Sequence, residues 1–183
     1  PRVSPRGAPF PLPPVPMPDV PVGARLLHFA EAWTHITNDA WVLRTVKEGY
    51  SIPFDRSPPL SRVPIPLASG HPFLPEAIQG LLEKGAVERV RDHASPGFYS
   101  RLFLVQKKNG TWRPIIDLSS LNLCLDKRTF RMDTPASIRA SIKPDHWGVS
   151  LDLSDAFFHV PIHPRSRKYL RFCHNGQVFQ FRA

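Results

Sequence analysis

Cysteine is nearly absent. The 183 residues hold two, Cys124 and Cys173, at no paired spacing, which argues against a disulfide framework or a zinc ribbon. No apolar run approaches the roughly 18 residues of a membrane-spanning helix. Proline interrupts the apolar N-terminal residues, so a signal peptide is not expected either. There is no Walker loop, no GxGxxG turn and no serine- or cysteine-nucleophile signature, so P-loop, dinucleotide and acyl-enzyme chemistry lack their residues. Internal repeats and a regular βαβ alternation are missing as well. These absences lead us to expect an α+β domain in an intracellular, reducing setting, cytoplasmic or nuclear.

What is abundant is proline and positive charge. Nine of the 22 prolines fall in residues 1–22, a composition that forms neither helix nor sheet and reads as an extended, disordered linker. A proline-rich ligand motif is the alternative there. The net charge of +9 is unevenly spread: residues 1–98 carry 10 basic and 9 acidic side chains, whereas residues 99–183 carry 14 basic and 6 acidic. Such asymmetry points to a polyanionic partner, nucleic acid before anionic membrane, with an inert basic surface as the alternative.

Local patterns place the elements. Leu26, Leu27, Ala30 and Trp33 make a helical stripe, and a second helix follows with Asn38 or Asp39 as its cap and Gly49 just past its end. Residues 51–72 are proline-rich and expected to be irregular. "LPEAIQGLLEKG" reads as a helix with Pro75 in its first turn, Ile78, Leu81 and Leu82 on one face, and Gly85 as the stop. "SRLFLVQKKNGTWRPIIDL" is a hairpin turning at Asn109-Gly110, with Lys107, Lys108 and Arg113 near its tip. Those cations either bind phosphate or protect an edge strand. "DTPASIRASIKP" is a short helix capped by Thr134, and "KYLRFCHNGQVFQF" a hairpin turning at Asn175-Gly176.

Two stretches bear on chemistry. His159 and His163, with Cys173 and His174 nearby, straddle a proline-broken segment and read as ordinary polar or packing residues. In "GVSLDLSDAFFHVPI", Val149, Leu151 and Leu153 alternate with Ser150, Asp152 and Ser154, the period of a half-buried strand. Asp152 then falls on the polar face near the strand's end. It is either a solvated aspartate or a carboxylate aimed into a cleft, where Mg²⁺ would take one or two carboxylates plus substrate phosphates.

Several stretches in order resemble the reverse transcriptase of a retroelement. "LLEKGAVERV" is similar to the helix leading into the fingers, and "SRLFLVQKKNGTWRPIIDLSSLN" to the fingers hairpin. "SLDLSDAFFHVPIHPRSRKYLRF" resembles the motif bearing the first palm aspartate. Upstream, "RLLHFAEAWTHITNDAWVLRTVKEGY" with "IPF" looks like the segment before the polymerase in DIRS-type (tyrosine-recombinase) retrotransposons.

The resemblance implies a right-hand polymerase: linker over residues 1–22, a helical and irregular segment over 23–72, and fingers with an incomplete palm, an antiparallel sheet with helices, over 73–183. It implies RNA-directed DNA polymerisation with Mg²⁺, acting on an RNA or DNA template-primer and deoxynucleoside triphosphates. Asp152 would be the catalytic metal carboxylate, with Leu153 lending a carbonyl to the metal. Lys107 and Arg113 would grip the triphosphate, Asp155 and Ala156 would offer backbone N–H groups to it, and Phe157 would lie under the sugar and exclude a 2′-hydroxyl. Asp155 as a simple turn cap and Phe157 as plain core are the alternatives.

One departure limits this expectation. The family's Tyr/Phe-x-Asp-Asp hairpin is not among these residues: no Asp-Asp pair occurs, and no acidic residue follows Asp155. The expectation is therefore a truncated chain without polymerase activity of its own, with an exposed sheet edge at Val178, Phe179 and Phe181. A non-catalytic nucleic-acid-binding fragment and a non-functional relic are the other readings.

Overall fold

The computed structural model describes residues 20–66, 70–91, 95–127, 129–147, 149 and 151–183. The proline-rich linker expected over 1–22 thus falls almost wholly outside the described residues. A 3-10 turn at Arg25–Phe29 runs into α1 (Ala30–Thr34). Helix α2 (Ala40–Glu48) follows, capped by Asp39, whose Oδ1 accepts from the Trp41 and Val42 N–H groups at 2.8 and 3.0 Å. Gly49 ends it at φ 99°.

Helix α3 (Leu74–Glu83) buries Leu74, Ile78 and Leu81, with Leu82 partly buried on the same cluster. It stops at Gly85, φ 66°, and the chain extends at once into β1 (Val87–Arg89). The helix thus stops where Gly85 was expected to end it, and the second half of "LLEKGAVERV" carries β1. Three residues of strand are too short to show a period, so this element was not legible in the sequence.

Two antiparallel sheets follow. β2 (Arg101–Gln106) pairs with β3 (Trp112–Asp117), Val105 facing Arg113. β4 (Arg171–His174) and β5 (Gln177–Phe181) form the second hairpin, and β1 adds to it in the order β1-β5-β4. The two Asn-Gly turns differ. At Asn175-Gly176 both residues have positive φ, 48° and 74°, as a two-residue primed turn needs. At the first hairpin only Gly110 does, at 82°, within a longer tip closed by the Lys107 N–H donating to the Thr111 carbonyl at 2.7 Å. Helices α4 (Ser119–Asn122), α5 (Pro135–Ser141) and α6 (Pro164–Arg167) are short. A second 3-10 turn spans Ala156–His159.

One apolar cluster joins α3, β1, the β2–β3 hairpin and the three-stranded sheet through Leu74, Ile78, Leu81, Leu102, Phe172 and Phe179. Phe172 and Phe179 stack at 5.2 Å. A second cluster draws Ile52, Phe54 and Leu60 onto Phe98, Leu121 and Leu170. The segment before α3 is thus bound into the same core, with a parallel bridge between Tyr50 and Ile162.

Two expectations need correction. Val178 and Phe179 are 1% and 3% exposed and Phe181 is partly buried, because β5 is the central strand, flanked by β1 and β4. They do not form an open edge. Conversely, residues 151–153 form no strand, and Val149, Leu151 and Leu153 are exposed at 84%, 83% and 68%. An alternating segment becomes a strand only when a neighbour satisfies its backbone and covers its apolar face. Among the described residues none does. The apolar exposure continues through Phe130, Met132, Ile138, Ile142 and Trp147.

Candidate functional site

The β2–β3 hairpin sorts its side chains by pleat. Leu102, Leu104 and Ile116 face the core. The opposite face bears Phe103, Val105, Arg113 and Ile115, with Arg101 opposite Asp117 at its base. At the outer end Val105, Gln106, Lys107, Lys108, Asn109 and Arg113 line an open concavity of about 420 Å³. Asn109 Oδ1 fixes the tip by accepting from the Thr111 N–H at 3.2 Å and the Thr111 hydroxyl at 2.7 Å. Lys107, Lys108 and Arg113 are all exposed. The result is a rigid strand pair presenting three cations around a shallow opening, a form suited to phosphate oxygens.

A second candidate feature is the turn at Asp155–Phe158, none of whose residues lines the hairpin concavity. Asp155 adopts the left-handed conformation, φ 53°, with no capping hydrogen bond from its side chain. Asp155 holds the N-cap position of the 3-10 turn, where its carbonyl accepts from the Phe158 N–H at 2.9 Å. Its carboxylate instead meets Lys84 from the end of α3, Oδ2 to Nζ 2.9 Å and Oδ1 to Nζ 3.2 Å. The sequence held no signal for this pairing, since the partners lie 71 positions apart. The two phenylalanines separate cleanly. Phe158 packs against the main core, and its carbonyl accepts from the Ala24 N–H at 2.7 Å. Phe157 is 90% exposed, so it is not core. Ala156 is exposed beside it.

Asp152 and Leu153 lie on the exposed, unpaired stretch before this turn. A two-metal clamp takes several convergent carboxylates. Among the described residues no group of three or more His, Cys, Asp or Glu side chains gathers to hold a metal. A complete divalent-metal site does not fit the described residues. The histidines serve local geometry. His163 Nδ1 accepts from the Arg165 N–H at 3.2 Å at the start of α6, and His159 Nε2 lies 3.2 Å from the Ser154 carbonyl.

At the hairpin base, Asp117 Oδ1 accepts from the Ser119 hydroxyl at 2.6 Å and the Ser119 N–H at 3.0 Å. These bonds, with a smaller contribution from Arg101, hold its carboxyl below the usual aspartate range. A polar chain also crosses the three-stranded sheet. Arg167 pairs with Glu88 at 3.2 Å, Gln180 Nε2 donates to Glu88 at 2.7 Å, and Arg171 Nε donates to Gln180 at 3.2 Å. Arg171 is buried and also donates to the Ser95 carbonyl and hydroxyl at 2.7 and 3.0 Å.

The architecture, antiparallel sheets with helices, matches the right-hand-polymerase fold of solved reverse transcriptases. The chain matches a foamy viral protease-reverse transcriptase, solved in complex with double-stranded DNA, with a TM-score of 0.51 at 16% identity, over 96% of this chain and 34% of that one. That likeness establishes the fold. In sequence the chain is homologous to a segment of retroviral Pol polyproteins. It is 31% identical over 169 residues to the Gag-Pol polyprotein of baboon endogenous virus (strain M7), covering 84% of this chain and 9% of the polyprotein. It is 33% identical over 97 residues to the Pol polyprotein of equine infectious anemia virus (strain Wyoming), covering 53% of this chain and 8% of that protein. The chain therefore spans less than a tenth of these relatives. No protein-family model matches it. Among the described residues no helix is long and apolar enough to cross a membrane.

Proposed function

We propose that the chain is the nucleotide-gripping front of an RNA-directed DNA polymerase, the fingers and the first part of the palm. The observation that carries this reading is the division of labour at "DAFF": Phe158 is partly buried against the core while Phe157 stands out beside the Asp155 turn. A rigid anchor under an exposed ring is what a steric plate beneath a sugar needs. The hairpin concavity with Lys107 and Arg113 supports a triphosphate grip, and Asp155 and Ala156 contribute backbone N–H groups to it. Asp152, with the Leu153 carbonyl, takes the role of the first metal carboxylate. Template-primer and deoxynucleoside triphosphates are the partners, and Mg²⁺ belongs to the complete site. Within retroelements the reading is a DIRS-type element, on the strength of the stretch over residues 25–50; the relatives above are retroviral.

These 183 residues bring one palm carboxylate, so we expect them to hold nucleotide and nucleic acid without extending a primer. Primer extension with Mg²⁺ or Mn²⁺ tests this, and clear deoxynucleotide incorporation would overturn it. Salt-dependent binding of a template-primer in the same preparation is the positive expectation. Its absence would favour the reading of a relic without function.

A further inference from the structure

We propose that Lys84 is a positioning residue for the nucleotide site, acting through Asp155; this rests on the reading given above. If the backbone around Asp155 and Ala156 meets phosphates, the Asp155 carboxylate is a liability. An uncompensated negative charge next to those N–H groups repels a polyanion. The Lys84 ammonium compensates it, bonding both carboxylate oxygens at 2.9 and 3.2 Å.

The geometry around the pair is set from behind by the N-terminal segment. The Gly23 N–H donates to the Lys84 carbonyl at 2.7 Å, and the next residue, Ala24, donates to the Phe158 carbonyl at 2.7 Å. Two successive residues thus hold the end of α3 and the 3-10 turn at a fixed spacing. The approach is close enough that a Cβ on Gly23 would stand 2.1 Å from the Gly85 carbonyl oxygen. Lys84 and Asp155 close the same joint on the exposed side. Asp155 holds a left-handed φ of 53°, which aspartate tolerates better than most residues but which still needs support. The pair therefore does two things at once: it cancels a charge and it steadies the turn that presents Phe157.

The test is an NMR titration of dTTP into the 183-residue chain, following the Ala156 and Phe157 amides. Lys84→Ala is expected to weaken dTTP about threefold to fivefold, the range open to a half-exposed ion pair. Lys84→Arg should restore most of that loss. In an Asp155→Asn background, Lys84→Ala should have no further effect, because the charge to be cancelled is gone. An equal loss in both backgrounds would mean that Lys84 touches phosphate directly, and no loss in either would mean that the pair is incidental; each overturns the proposal. Arg113→Ala separates the layers. If it weakens dTTP while the Lys84 variants do not, only the positioning role fails. If dTTP does not bind at all, or binds independently of Arg113, the reading of the site fails and the positioning role with it.

Discussion

Tyr50 and Ile162 pair as a parallel bridge, the Tyr50 N–H donating to the Pro161 carbonyl at 2.7 Å and the Tyr50 carbonyl accepting from His163 at 3.1 Å. The bridge fastens the N-terminal segment to the chain just after the Phe157 turn. It depends on Gly49, where a Cβ would stand 2.4 Å from the His163 nitrogen and where φ is 99°. Both backbone conformation and space exclude a side chain. Gly49→Ala should cost about 2 kcal/mol or more of stability. Urea unfolding checks it, and a loss below about 0.5 kcal/mol would show that the segment is not braced there.

The buried Arg171 gives a second prediction. Its guanidinium donates to Ser95 through two nitrogens and to Gln180 through a third. Lysine has no planar fork to reproduce that set. Arg171→Lys should therefore destabilise the fold by about 1–3 kcal/mol, with Ser95 and Gln180 left short of donors. Denaturant midpoints at constant m-value are the measurement; a neutral Lys variant would contradict it.

Asp117 predicts a pH dependence. Hydrogen bonds from Ser119 depress its folded pKa below the usual aspartate value of 3.8. A depressed carboxylate contributes stability above its unfolded pKa and loses it as pH falls through the folded one. The stability gap between the native chain and Ser119→Ala should accordingly be constant from about pH 7 to pH 5 and narrow below about pH 4. Melting temperatures of both chains across that range decide the matter. A gap that widens in acid would have the wrong sign.

The hairpin cations are exposed, so their loss should spare stability and weaken binding. Arg113→Ala is expected to change unfolding free energy by less than about 0.5 kcal/mol. It should also lower the slope of log affinity against log salt for a template-primer by about 0.9 for each phosphate contact removed. Fluorescence anisotropy at several salt concentrations measures it. An unchanged slope would remove Arg113 from the interface.

Leu153 and Val178 make an instructive contrast. Both occupy strand-like alternations in the sequence, yet one is exposed and the other buried. Leu153→Ala should be nearly neutral in stability, whereas Val178→Ala should cost about 1–3 kcal/mol. The uncovered apolar stretch that includes Leu151, Leu153 and Trp147 should also drive concentration-dependent association. Light scattering that falls on Leu151→Lys would bear this out.

The sequence by itself determined whatever is written within a turn or two of chain. The Asp39 cap, the Gly49 and Gly85 stops, the Thr134 cap and both Asn-Gly turns are local chemistry, and the structure has all of them. It also displayed the cationic hairpin and the aspartate-bearing motif, because such residues cluster in short windows. Only the tertiary structure decided what depends on distant partners. β1 exists because β5 accepts it. Residues 151–153 stay unpaired because no described strand lies beside them, although their alternation is good. Phe157 and Phe158 are identical side chains in adjacent positions, and the core takes one and leaves the other in solvent. The Lys84–Asp155 joint belongs to the same class: a charge pair across 71 positions leaves no trace in local pattern, since it is the packing of α3 against the core that sets where each charge ends up.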